Sequence, residues 1–111
     1  MVDRSRIARE FAEAVNMSAA ELRDWLTTQQ SLGVGSKPGG PDSESIGHAS
    51  GRRIAAILDT ARSDLGDDDY RHMRTVVSFI RRHSAQEPAN PVTSRWRYSL
   101  MNWGYDPLKT G

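Results

Sequence analysis

The stretch Asp67-Asp68-Asp69-Tyr70-Arg71-His72-Met73-Arg74-Thr75-Val76-Val77-Ser78-Phe79-Ile80-Arg81-Arg82-His83-Ser84 decides the fold. Advancing by ~100° per residue, a helix here gathers Met73, Val76, Val77 and Ile80 on one side. Arg71, Arg74, Thr75, Ser78, Arg81 and Arg82 fall on the other. The three aspartates suit the start of that helix, where carboxylates satisfy free backbone amides and oppose the positive end of the dipole. From Tyr70 to Gln86 the chain then carries four arginines and no carboxylate. A face of guanidinium and hydroxyl groups fits a polyanion, because arginine offers a fixed fork of donors to phosphate oxygens and stays charged at physiological pH. The competing account is a solvated outer face whose arginines meet acids from elsewhere in the fold.

Working outward, Ile7, Phe11, Ala14 and Val15 recur at helical spacing and predict an amphipathic helix over 3–15, ended by Asn16. Ser18 and Glu21 form a capping box, with Met17 placed to staple onto Leu22, and Leu22, Trp25 and Leu26 give the second helix its apolar face until it fades near Gln30. Residues 31–49 turn Gly-, Ser- and Pro-rich and read as a mobile loop. Ile54, Ile57, Leu58, Ala61 and Leu65 mark a third helix over about 51–63, stopped by Gly66. Pro88, Asn90 and Pro91 break the chain after the arginine helix. Thr93 or Ser94 caps a fifth helix, whose stripe of Trp96, Leu100 and Trp103 ends at Gly104. With no internal repeat and no alternation of strand type, the expectation is an all-α single domain over 1–111: about five helices in a small bundle, with the long loop between helices 2 and 3.

A chain of 111 residues buries roughly 65% of its unfolded surface, enough for a core without staples. The absence of Cys removes disulfides, thiolate metal sites and cysteine nucleophiles. No apolar run approaches the ~20 residues that cross a bilayer, and no leader pattern opens the sequence, so a cytoplasmic protein without a membrane partner is expected. The net charge of +1 hides an asymmetry. Residues 1–69 hold eight Arg or Lys against twelve Asp or Glu, whereas 70–111 hold seven against Glu87 and Asp106.

Two further segments bear on function. Gly47-His48-Ala49-Ser50-Gly51-Arg52-Arg53 places a Ser50 cap and two arginines at an expected helix start, where the amides of Gly51, Arg52 and Arg53 could hold a small anion or serve an enzyme. Alternatively the two arginines pair with Glu44, Asp59 or the N-terminal acids. Arg95-Trp96-Arg97-Tyr98 interleaves cations and aromatics, as in sites that hold single strands or exposed bases, although Trp96 and Trp103 share the stripe assigned to the core. His72 and His83 lie on one side of a helix but about 16 Å apart along it, too far for one ion, and are expected as half-buried residues beside Phe79. The sequence has no nucleophile elbow, no Walker-type loop and no paired-carboxylate motif, so no enzyme, metal or cofactor is expected.

Several segments taken together carry a resemblance: Val15-Asn16-Met17 with Glu21-Leu22 and Trp25-Leu26, Gly47-His48 with Ser50-Gly51-Arg52-Arg53-Ile54, Tyr70, His72-Met73, Arg82-His83, and Arg95-Trp96-Arg97-Tyr98-Ser99-Leu100-Met101-Asn102-Trp103-Gly104 with Asp106-Pro107. The chain resembles the bacterial family called domain of unknown function 3140 over nearly its whole length. The resemblance implies no assigned activity, beyond the general label of DNA-binding that some members carry. It also implies His where this chain has Tyr105.

The resulting expectation is a small nucleic-acid-binding protein without strong sequence specificity. Duplex DNA is favoured because a rigid helix face suits a regular phosphate array. Arg71, Arg74, Ser78, Arg81 and Arg82 would make the contacts, and Arg52, Arg53, Arg95 and Arg97 would extend the patch; such a protein would associate with the nucleoid. The alternative is a protein-interaction or self-associating helical module, in which the acidic first part of one copy meets the basic second part of another as a homodimer.

Overall fold

A computed structural model describes residues 3–109. The regular structure among them is helical: α1 (Arg4–Ala14), α2 (Ala19–Leu26), α3 (Gln29–Leu32), α4 (Ile46–Leu58), a 3-10 turn (Arg62–Asp64), α5 (Asp67–Ser84) and α6 (Arg95–Asn102). The all-α class follows from the apolar spacing as expected, with six α-helices in place of five.

Local chemistry sets most helix starts. Asp3 accepts the Arg6 amide at 3.0 Å and opens α1. Ser18 and Glu21 exchange side-chain and backbone bonds at 3.1 and 3.0 Å, completing the capping box of α2. Asp69 accepts the Gly66 amide at 2.9 Å at the start of α5, and Ser94 accepts the Arg97 amide at 3.1 Å at the start of α6.

The segment 31–49 departs from expectation. It is not one long loop: α3 occupies its beginning and α4 its end, because Ser45, and not Ser50, caps α4 by accepting the His48 amide at 3.0 Å. What remains between them has buried anchors in Val34 and Ser45. Its turns are closed by bonds from the Gly40 amide to Lys37, the Ser43 amide to Gly40 and the Ile46 amide to Ser36. Gly47, expected in the loop, and Gly51, expected at a helix start, both lie inside α4 for a packing reason. A Cβ on Gly51 would come within 2.5 Å of the Asn102 carbonyl oxygen and 2.8 Å of Leu26 Cδ2, and one on Gly47 within 3.0 Å of Trp103 Nε1. Only bare backbone lets the end of α6 approach α4 this closely.

The bundle is built from two pairs, α1 on α5 and α2 on α4, with α6 touching α2, α3, α4 and α5. Leu22, Ile54, Val76 and Leu100 are fully buried at the centre, each contributing on the order of 1.5–3 kcal/mol by leaving water. Beside them Trp103 stacks on Phe79 at 4.3 Å between ring centroids. The end of α6 is tied back to the α1–α2 turn. The Asn16 and Met17 amides both donate to the Gly104 carbonyl, and the Asn16 side chain exchanges two bonds with the Asp106 backbone at 2.9 and 2.8 Å. Gly104 itself has φ +86°, the left-handed conformation favoured after a helix end.

Candidate nucleic-acid interface

The long helix α5 presents three faces, and each follows from its sequence. Tyr70, Met73, Val76, Val77 and Ile80 are buried against the core. His72, Phe79 and His83 form a half-buried flank, with His83 stacked on Phe79 at 5.0 Å and His72 facing Trp103 at 6.3 Å. Arg71, Arg74, Thr75, Ser78, Arg81 and Arg82 are all exposed. Both histidines are half-buried as expected, but only His83 sits beside Phe79; His72 faces Trp103 instead.

Two shallow depressions meet on the outer face. One, of about 480 Å³, is lined by Arg71, Arg74, Thr75, Ser78 and Arg82. The other, of about 380 Å³, lies between α1 and α5, and Arg74, Ser78 and Arg81 face Arg6 and Glu10 across it. Arg74 and Ser78 belong to both and so mark the middle of the strip.

The arginines are not equivalent in their partners. Arg71 pairs with Asp68 one turn back, and Arg81 approaches Glu10 of α1 at 3.7 Å. Both of these arginines are largely exposed, at 67% and 62% of the side chain, and solvated pairs of this kind contribute little. Arg74 and Arg82 have no carboxylate partner among the described residues. The acids at the start of α5 are occupied as well: Asp67 by Arg4, Asp68 by Arg71, and Asp69 by the Gly66 amide and by Arg53 at 3.3 Å.

Arg52, Arg53, Arg95 and Arg97, the expected extensions of the strip, line neither of its two depressions. Arg97 is turned inward, with 22% of its side chain exposed, and grips both oxygens of Asp106 at 3.0 Å while donating to the Val92 carbonyl at 2.8 Å. Burial opposes ionisation of Asp106, yet the Arg97 bonds, the Leu108 amide and the nearby charges hold its carboxyl below the ordinary value. Arg52 is held by both oxygens of Glu44 at 2.7 and 2.6 Å, and it lines a separate groove between α2 and α4 with Arg23 and His48. Hydrogen bonds from Arg52 and then His48 depress the Glu44 carboxyl to about 2. Arg53 points to Asp69. Arg95 is exposed, donates to the Gly33 carbonyl at 3.2 Å and has no carboxylate partner among the described residues.

The amides expected to be free for an anion at 47–53 are not at a helix start. Because α4 starts at Ile46, the amides of Gly51, Arg52 and Arg53 lie inside the helix and are used by its own backbone. Ser50 is buried and hydrogen-bonds His72 Nε2 at 2.8 Å, tying α4 to α5. Burial first, then the charge of Arg53, lowers the His72 pKa, and the same order of causes, with Arg82 as the charge, lowers that of His83. Sequence reasoning did not find the role of Asn102, whose side chain joins Trp25 and Ser31 at the centre of the molecule. Nor did it find His48, which holds Glu44 through Nδ1 and the Leu26 carbonyl through Nε2 at 2.8 Å. No periodic signal marks a buried polar hub. The stripe shared by Trp103 and Leu100 with Asn102 beside it is the nearest hint.

The chain belongs to the family described as Protein of unknown function (DUF3140), whose family model matches residues 10–101. No curated protein and no solved structure matches it.

Proposed function

We propose that the chain binds nucleic acid through backbone phosphates laid along the outer face of α5, without strong sequence preference and with duplex DNA as the favoured partner. The observation that carries this reading is the pairing of Arg74 and Arg82, exposed on one face without a carboxylate partner among the described residues and joined by Thr75 and Ser78 hydroxyls in one depression. Arg71 and Arg81 add to it, because a phosphate can replace the exposed Asp68 that Arg71 meets and outcompete the long 3.7 Å contact of Arg81 with Glu10. Arg52 and Arg97 stand outside the footprint, since each already holds a carboxylate through two bonds. About three or four phosphates would then be neutralised, and affinity for duplex would fall by roughly three to four orders of magnitude for a tenfold rise in salt. A gel-shift titration against duplex and single strand at two salt concentrations tests the reading; binding indifferent to salt overturns it. No helix among the described residues is long and apolar enough to cross a membrane.

A second reading, a self-associating or protein-interaction module, draws on Leu32 and Ile46, which are 47% and 52% exposed at the two ends of the segment between α3 and α4. Mass in solution separates the two: a dimer that leaves DNA unbound favours the second.

A further inference from the structure

Beside His83, the residue that follows Arg82 in the chain, lies a depression of about 310 Å³ between the end of α5 and the first two turns of α6. Its wall includes the half-buried Trp96, fixed in place because the indole N–H donates to the His83 carbonyl at 2.7 Å. His83, Gln86, Ser99 and Arg95 supply the polar groups, Val34 and Gly35 close the remaining side, and no carboxylate lines it. His83 Nε2 is buried and has no hydrogen-bond partner among the described residues. A buried nitrogen without a partner is costly, which marks this corner of the fold as a place where packing is not fully satisfied. Arg95 spends one donor on Gly33 and keeps the rest of its fork clear of acids.

We propose that this pocket receives one unpaired base of a nucleic-acid strand whose phosphates rest on Arg82 and Arg95. The inference rests on the phosphate contacts of the nucleic-acid reading and replaces its preference for intact duplex: the ligand is a strand with at least one exposed base beside the backbone held by α5. The volume is at the lower end for small-molecule sites, room for one ring system. An aromatic wall stacks on any base, because every base has a π-face. The Gln86 amide and the Ser99 hydroxyl each donate and accept, which suits the mixed edge of a base better than a carboxylate ligand. Burial first, then the charge of Arg82, lowers the His83 pKa, so Arg95 is the lining residue that supplies positive charge. Arg95 is exposed as well as lining the pocket, and a phosphate would lie against it.

The test uses the full chain and four probes in fluorescence anisotropy at low salt: an oligothymidylate single strand, the same strand with abasic sites, a blunt duplex of mixed sequence, and thymidine monophosphate as competitor. The single strand is expected to bind about tenfold tighter than its abasic counterpart, as stacking of one base gives. Ser99→Leu, which fills the pocket, should abolish that preference and leave duplex affinity within about twofold, since the phosphate contacts on α5 are untouched. Gln86→Ala, at an exposed position, should weaken the single strand alone and serves as the folded control. Equal affinity for the base-bearing and abasic strands overturns the proposal, as does a base preference that survives in both folded variants. Displacement by thymidine monophosphate at comparable affinity overturns it in favour of a free nucleotide. If duplex and abasic strand bind while the preference is absent, the phosphate reading stands and only this inference fails; if no strand binds, both fail.

Discussion

Asn102 and Ser31 hold each other through two hydrogen bonds that run in opposite directions: the Ser31 hydroxyl donates to Asn102 Oδ1 at 2.5 Å, and Asn102 Nδ2 donates to the Ser31 carbonyl at 3.1 Å. The same Oδ1 accepts the Trp25 indole N–H at 2.8 Å. Both residues are essentially inaccessible, so α2, α3 and α6 meet through one amide that water cannot replace.

Asn102→Ala should therefore be severely destabilising. It leaves the Trp25 N–H and the Ser31 hydroxyl without an acceptor, at about 1–3 kcal/mol for each buried group. A fall of the urea midpoint with an unchanged denaturant slope is the expected result; a midpoint within error of the parent would contradict the hub.

Gly51→Ala runs against the helix-propensity scale. Alanine in a helix interior gains about 1 kcal/mol over glycine. Here its methyl meets the Asn102 carbonyl oxygen at 2.5 Å, and backbone cannot swing aside as a flexible side chain can. A net loss of about 1–3 kcal/mol is expected from overpacking, read as a lower melting temperature. Stabilisation would show that α6 does not lie this close to α4.

Acid should loosen the fold in two stages. Near pH 6.5, His72 and His83 take up protons in the unfolded chain before they do in the folded one, because burial and the neighbouring Arg53 and Arg82 lower their folded values. Their contribution is complete above that pH and is lost as pH falls below it. His72 protonates against Ser50, Trp103, Arg53 and Asp69; His83 against Phe79 and Arg82. A second loss begins below the ordinary glutamate value of 4.5, as Glu44, held near 2 by Arg52 and His48, and Glu21, held near 2 by Lys109 and Ser18, become protonated in the unfolded chain first. Chemical denaturation across pH 4–8 measures the first stage, and His72→Gln should flatten it.

Arg74→Glu and Arg97→Ala should fail in opposite assays. The first reverses charge at an exposed position at the centre of the strip, so nucleic-acid affinity should drop by about tenfold or more at low salt with the melting temperature unchanged. The second leaves Asp106 half-buried without its two-pronged partner, so stability should drop while any loss of affinity follows only from unfolding. Equal affinity of Arg74→Glu and parent for DNA would remove the phosphate reading.

Much of this architecture could be read from spacing. Period and capping located α1, α2, α5 and α6, because an amphipathic stripe and a Ser or Asp cap act within one or two turns of chain. The three faces of α5 followed for the same reason. What escaped was set by distant residues. Gly47 signals a loop and Gly51 a helix start by local propensity, and both become helix interior where Asn102, Trp103 and Leu26 pack against them. The arginine strip was legible as exposed positions, but the division between free Arg74 and Arg82 and committed Arg52 and Arg97 depends on which acids the fold brings near, and no local pattern encodes that.

The three-faced construction of α5 sets how this protein can change over time. Replacing one outer residue alters the charge presented to solvent without touching Val76 or Ile80, so the strip can drift while the bundle persists. Removing a single residue near Val77 would turn everything after it by ~100°, carrying arginines toward the interior and apolar side chains out. Point substitutions can therefore retune the surface, whereas insertions and deletions in this helix should be lethal to the whole domain.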